Sequence, residues 1–558
     1  MKEWIETHQK SAMALTLLAS LLYLLPVAVT GIDVCDSGFY FTFYRNIYSS
    51  PASVEYNFMY YLSGVVGGAV QLLFPSLGML GWKLLGIATL LLSQWTVWQM
   101  LRKVVPPLPL AVGNLMVIVG FIGLPVAFCN DLLTTLLYCL ALWLLHRGID
   151  EQRRLSLLLS GIVLGVNIFS RLPNVLACVL ALAPMVVARE GVSAWGRVRN
   201  ALTIAGGIAV GVTLILLLML WLGHYELFVS NLRDVTTIAG DESGESTHSA
   251  GKMIAAYWRF YSKSLTVGAV MAVIGAIYFV AMRRLPWRWS RATAMVATIG
   301  ATAYYLYHYN ALNYLWVLCF ATCIWLLATT KERGLRLASL LGLAMMLIFP
   351  LGSDSGYNNG SIIAMVAAPV TAGVWAQRRR WVMLAGWALV CLAQMSLMGA
   401  YFDGGALWKK THSVENARLS GVYTTAERAT ILNGVLEGIG EHVIAGDTLM
   451  AYGSAPLLNY LTDTRPAYGC SWPELLSAAL LEKKLNGNGS APQWILRQHF
   501  YTLSKDWREP TADWKTHYSV SSGFLSDRKL EVLNAFMDRN GYKEVWSNSH
   551  FTLYRRGR

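Results

Sequence analysis

Charge is scarce in this chain: Asp, Glu, Lys and Arg make up 14% of its 558 residues, against about a quarter in soluble domains. That excludes a soluble enzyme of this length. Ionisable side chains are almost absent from the middle of the apolar runs. An ion-coupled transporter would carry buried Asp, Glu, Lys or Arg there, along its path. The eight cysteines form no CxxC pair and no Cys/His metal spacing, and most read as packing residues within apolar runs. Cys35 and Cys129 each lie beside an acidic residue and leave a disulfide open. No internal repeat or low-complexity tract is visible. No small-x-small cleavage site follows the first apolar run, and Asp33-Val34 precede Cys35, so that run reads as an uncleaved span rather than a signal peptide.

What is abundant is apolar. The chain is 55% hydrophobic, with 21 Trp and 27 Tyr. Runs of roughly 20 apolar residues recur from Ser11 to about Phe402, each long enough for a bilayer core of ~30 Å. Beyond that point charge, Gly and Asn return. This divides the chain into a membrane part, residues 1–400, and a C-terminal domain, 401–558. The net charge of +13 sits almost wholly in the membrane part, where basic residues report orientation. Nucleic acid is therefore not an expected partner, and membrane lipid is.

Spans are expected at 11–31, 82–101, 108–128, 132–146, 155–170, 172–188, 201–223, 264–282, 293–307, 311–329, 336–351, 361–377 and 381–400. The apolar stretch 58–80 decides the topology. If it lies along the outer face and the N-terminus is cytoplasmic, the basic clusters at 102–103, 147–154, 189–199, 283–291, 331–336 and 378–380 all fall inside. If it crosses, every later cluster flips outward, against the positive-inside bias. The reading is a polytopic α-helical membrane protein of about 13 transmembrane helices. An odd count places the C-terminal domain outside, with Asp36 and Asp131. That domain reads as a small α/β unit. A helix capped in Thr424-Thr425-Ala426-Glu427 runs to about Gly440, and strands are expected at 448–452, 493–496 and 550–554.

Polar residues gather at the outer span ends: Asp36, Arg45, Asn57, Asp131, Arg171, Asn174, His308, Asn310, Asp354 and Asn358. Two outer loops are long, 32–81 with juxtamembrane helices and 223–264. The second is Gly/Ser-rich at its centre and reads as mobile. Its end, Lys252 to Arg259, reads as a short amphipathic helix presenting two cations.

Three segments carry a family likeness: Asp36-Ser-Gly-Phe-Tyr after the first span, Tyr56-Asn57-Phe-Met-Tyr-Tyr-Leu, and Asn130-Asp131-Leu-Leu-Thr at the entry of a later span. They resemble the acidic-x-Gly-Tyr, Pro-Pro-Leu-Tyr-Tyr and Asp-x-Leu-Leu-Thr segments of the GT-C superfamily of integral membrane glycosyltransferases. The likeness is to the protein mannosyltransferase and lipid A aminoarabinose transferase group, although both prolines are missing here. Gly453-Ser454-Ala455-Pro456 and Leu461 to Pro466 also look like tails of this group. The resemblance implies a GT-C fold with an outer C-terminal domain, a polyprenyl-phosphate-linked sugar donor, and a lipid, glycan or protein acceptor. Ser37 stands where many relatives have a second acid, so a divalent metal stays open; no other cofactor is required.

An acceptor hydroxyl attacks well only when a base takes its proton, and Asp36 is the candidate. Asp131 either orients the acceptor or a metal, or caps the helix that follows. A departing lipid phosphate needs positive charge, for which Arg171, Lys252 and Arg259 are candidates. Tyr40, Arg45, Asn57, His308, Asn310, Asp354 and Asn358 are the candidate substrate contacts. The expected function is inverting glycosyl transfer at the periplasmic face of a bacterial inner membrane. A transporter or flippase of a lipid-linked saccharide is the alternative.

Overall fold

The computed structural model describes residues 8–121, 126–187, 191–239, 249–309, 314, 316–351, 361–377, 403–487, 490–500, 507 and 527–557. Helices dominate. In the membrane part they are α1 (Gln9–Ala28), α2 (Asp36–Asn46), α3 (Tyr61–Leu73), α4 (Met79–Leu101), α5 (Pro107–Val119), α6 (Asn130–Glu151), α7 (Arg154–Asn167), α8 (Ala183–Val186, continuing a 3-10 segment from Leu172), α9 (Ala194–Trp221), α10 (Tyr225–Ala239), α11 (Ala250–Arg284), α12 (Arg288–His308), α13 (Val317–Thr329), α14 (Arg333–Ile348) and α15 (Ala367–Gln377). Five of them, α1, α4, α6, α9 and α11, are long and apolar enough to cross a membrane, and shorter apolar helices lie beside them. The chain is a membrane protein. Every expected span up to 361–377 overlies a helical segment, whereas span 381–400 and the boundary near residue 400 lie outside the described residues.

The stretch 58–80 forms a 3-10 segment, Pro51–Tyr60, followed by α3, of 13 residues. At 1.5 Å per residue such a helix reaches about 20 Å, too short for a core of ~30 Å. The Gly/Ser-rich centre of the 223–264 loop lies outside the described residues at 240–248, and one expectation is corrected. Lys252 to Arg259 is not a short separate helix; it forms the first turns of the 35-residue α11. The loop before it is helical over α10, and Asn231 donates to the Tyr56 carbonyl at 3.0 Å while Asp234 meets Lys484 at 2.9 Å.

Close helix contact comes from small residues. Gly161 and Gly165 on α7 face Gly207 and Gly211 on α9, and a Cβ on any of the four would lie 2.1–2.3 Å from a carbonyl of the partner helix. Spacing of four puts each pair on one helical face, the arrangement that lets two backbones approach in lipid. Three of the basic clusters meet at one end of the bundle. Lys103, Arg147 and Arg153 lie 3.0–3.2 Å from Glu151, and Arg333 pairs with Asp150. Helix α6 runs 22 residues from Asn130 to this end, about 33 Å, so its start, with Asp131, stands a bilayer's thickness from the basic end.

The C-terminal domain is a mixed five-stranded sheet with helices. Its strands are β1 (Thr448–Tyr452), β2 (Arg465–Pro466), β3 (Trp494–Gln498), β4 (Tyr542–Ser547) and β5 (Phe551–Arg556), in the order β2-β1-β3-β5-β4. The first three are parallel and β3-β5-β4 antiparallel. Helices α16 (Ala426–Gly440), α17 (Leu457–Leu461), α18 (Ala478–Leu485) and α19 (Asp527–Arg539) complete it. Thr425 caps α16, accepting from the Arg428 N–H at 3.5 Å, one residue beyond the Thr424 that a Thr-x-x-Glu box places there.

Candidate active site

The end of α1 is tied down before the site begins. The buried Lys83 ammonium on α4 donates to the carbonyls of Thr30 and Gly31 at 2.8 and 2.6 Å, and Gly31 and Val29 exchange backbone bonds with Tyr423 at 2.8 Å. The Asp403 carboxylate accepts from the Ile32 N–H at 2.5 Å and from Thr424 at 2.8 Å. Lys410 at 2.6 Å and Arg428 at 3.5 Å balance its charge. All three charged groups are buried, and burial pulls both cations below their ordinary values. The sequence gives no sign of this cluster, because its members are polar residues scattered through the tail and aimed at one turn.

Asp33 starts the next helix. Its two carboxylate oxygens accept from the N–H groups of Cys35 (2.9 Å) and Ser37 (2.7 Å), satisfying first-turn donors that have no intrahelical partner. Asp33 is thereby committed to the backbone, and Asp36 stands partly exposed on the first turn of α2. The turn Gly453–Pro456 then clamps α2 from the C-terminal domain. Cys35 donates its thiol hydrogen to the Ser454 carbonyl at 2.9 Å, Leu457 N–H donates to Val34 at 3.1 Å, and Thr42 donates to Pro456 at 3.1 Å. Gly38 permits this approach: a Cβ there would lie 2.2 Å from the Leu457 nitrogen. Cys35 and Cys129 are both free thiols, so the open disulfide is not formed.

Asp131 begins α6 in the same region. The connection from α4 is fixed by the Phe128 N–H donating to Trp82 at 2.9 Å and by Tyr44 of α2 donating to Phe128 at 3.3 Å. Tyr40 lies one turn beyond Asp36 on the same face of α2, and both carboxylates act on it electrostatically. Burial pushes the Tyr40 phenol well above its ordinary value, and Tyr60, Asp131 and Asp36 push it the same way. The Cys129 thiol is raised by burial and by both carboxylates as well. Tyr40 nevertheless keeps accessible surface. This partly open region at the starts of α2 and α6 is the candidate recess.

Arg171 faces this recess from behind Asp131, with Nη1 3.5 Å from its Oδ1. Its guanidinium also donates to the carbonyls of Phe349 (2.7 Å) and Leu351 (2.9 Å), beyond the C-terminus of α14, where carbonyls lack intrahelical donors. Tyr257 of α11 donates to Leu347 at 3.0 Å in the same place. This brings the first turns of α11, with the partly exposed Lys252 and the exposed Arg259, alongside. Asn174, Asn167, Ser170 and Thr134 link the Arg171 turn to α6 by hydrogen bonds of 2.5–3.4 Å.

Other candidates stand apart or behind. Asn57 is buried and donates to the Phe39 carbonyl at 3.2 Å, bracing α2. Arg45 ends α2 and pairs with Asp463, which also meets Arg418 at 2.5 Å. His308 is exposed at the end of α12, stacked on Tyr304 at 5.4 Å. Asn310, Asp354 and Asn358 lie outside the described residues. Ser37 contributes no acid, its hydroxyl being buried. Among the described residues no three His, Cys, Asp or Glu side chains gather to hold an ion.

No family model and no curated protein matches the chain. Among solved structures it is similar to the Archaeoglobus fulgidus oligosaccharyltransferase tethered to an acceptor peptide containing the NVT sequon, at 10% identity and a TM-score of 0.48, over 100% of this chain and 75% of that one. It is similar also to that protein in complex with zinc and sulfate, at 10% identity and a TM-score of 0.46, over 98% and 73%. The third such structure is that protein with an inhibitory peptide and a dolichol-phosphate, at 11% identity and a TM-score of 0.45, over 98% and 74%.

Proposed function

We propose that the chain is a membrane glycosyltransferase that moves a sugar from a polyprenyl-phosphate carrier to a lipid, glycan or protein acceptor, with inversion. The observation that supports this reading is that Asp36 and Asp131 begin α2 and α6 and both act on the Tyr40 phenol, at the end of the bundle opposite the Lys103, Arg147 and Arg333 cluster. The likeness of the segments around these two acids to GT-C motifs supports it.

In the proposed reaction Asp36 accepts the proton of the acceptor nucleophile as its oxygen or nitrogen bonds to the anomeric carbon. The bond from that carbon to the phosphate oxygen breaks, and the lipid phosphate leaves with the electron pair. Arg171, braced by two carbonyls and Asp131, supplies fixed positive potential to the phosphate, and Lys252 and Arg259 approach it from α11. Asp131 orients the acceptor. The setting that suits this chemistry is a bacterial inner membrane crossed thirteen times, with the N-terminus cytoplasmic and the site and C-terminal domain periplasmic.

The test is transfer itself. Purified protein in lipid nanodiscs, given radiolabelled polyprenyl-phosphate sugars and a cell-envelope acceptor fraction, is expected to move label into acceptor with inverted anomeric configuration. Retention of configuration would contradict direct attack, and movement of intact labelled carrier across vesicles without transfer would favour the flippase.

A further inference from the structure

Tyr60 lies in the Tyr56–Leu62 segment that carries the family likeness but has no role assigned there, and its ring meets that of Tyr40. The Tyr40 and Tyr60 ring centroids are 5.8 Å apart with planes at 67°. Phe39 stands behind both, at 5.5 and 6.4 Å, and is itself backed by Tyr56 at 6.3 Å and Trp472 at 6.4 Å. The three backing rings are each 4% exposed, whereas Tyr40 and Tyr60 keep accessible surface. This is an aromatic wall with a sealed back and two open rings meeting at a corner.

Tyr40 follows Asp36 by one turn on the same face of α2, so the open corner of this wall has a carboxylate beside it. A pyranose does need that combination. One face of such a ring is a sheet of C–H groups, which packs on the negative face of an aromatic ring, while its hydroxyl rim seeks carboxylates. Positive charge developing at the anomeric carbon during transfer is also favoured near an aromatic face. We propose that Tyr40 and Tyr60 form the sugar subsite of the donor, with Tyr60 as its stacking platform and the pyranose edge turned toward Asp36 and Asp131. This rests on the glycosyltransferase reading above and goes beyond it by assigning where the sugar, as distinct from the lipid phosphate, is held.

The experiment compares binding with and without the sugar. Undecaprenyl phosphate and its mannosyl, glucosyl and arabinosyl derivatives are titrated by native mass spectrometry against wild type, Tyr60→Leu and Tyr60→Phe. Wild type is expected to bind at least one glycosylated carrier more tightly than the bare one. Tyr60→Leu is expected to lose about tenfold for that carrier, the worth of one aromatic contact, and to leave the bare carrier within about twofold. Tyr60→Phe keeps the ring and is expected to bind both as wild type does. Failure of every carrier to bind wild type would overturn the glycosyltransferase reading itself. If carriers bind but the sugar adds nothing, or if Tyr60→Leu weakens bare and glycosylated carriers equally, the subsite assignment fails alone.

Discussion

At the scale of single residues, neighbouring carboxylates take different tasks because their partners differ. Asp33 spends both oxygens on the N–H groups of Cys35 and Ser37, which leaves Asp36, three residues on, as the carboxylate facing the recess. Glu474 is a third case. It is buried beneath the clamp, accepts the Ser454 hydroxyl at 2.8 Å, and burial pushes it from 4.5 up to about 7. Its folded value lies above its unfolded one, so the unfolded chain ionises first as pH rises. The stability that the neutral form confers is complete below about 4.5 and is lost as pH rises through about 7. Melting of the detergent-solubilised protein should show this decline over that window, and Glu474→Gln should flatten it. An unchanged slope would mean that Glu474 is ionised in the fold.

At the scale of elements, α2 is held from both sides, by Phe43 and Tyr44 against α3 and by the Gly453–Pro456 turn. Gly453 has a φ of 143°, a conformation that other residues rarely adopt. Because Gly38 lies against the Leu457 backbone, Gly38→Ala forces α2 and α17 apart. An overpacking cost of about 1–3 kcal/mol is expected, with transfer falling further than stability because the displaced helix carries Asp36. Equal melting temperature and equal transfer rate would show that the clamp has slack.

Elements also show how far the sequence could be read. The apolar runs were legible because a bilayer imposes length, and α1, α4, α6, α9 and α11 fall where the runs are. Ends were less so: the run 108–128 is a helix only to Val119, where Gly120 closes it. The edge strand β4 was missed because most of it faces solvent, which leaves no alternation to detect. Asp36 and Asp131 were legible as acids at span ends. The occupation of Arg171 was not, since its hydrogen-bond acceptors are backbone carbonyls 178 and 180 residues away that no side-chain pattern announces. Tyr60 was legible as part of the Tyr56–Leu62 segment, but not as an accessible ring, since many rings in that stretch serve as core.

At the scale of the whole molecule, two ends of one bundle differ in kind. One gathers Lys103, Arg147, Arg153 and Arg333 around Asp150 and Glu151. The other gathers the recess and the C-terminal domain, joined through Asp403 and the 453–456 turn. If the basic end is cytoplasmic, a C-terminal alkaline phosphatase fusion should be active and a C-terminal green fluorescent protein fusion dark. The reverse would invert the proposed orientation and move the site to the cytoplasm.

The central claim is that Asp36 acts as the base in sugar transfer. Asp36→Asn keeps shape and polarity and removes the proton acceptor, so the variant should fold and bind glycosylated carrier as wild type does. Single-turnover transfer of radiolabelled sugar to acceptor should then fall by about 10²–10⁴-fold. Transfer at the wild-type rate with binding intact would contradict the account.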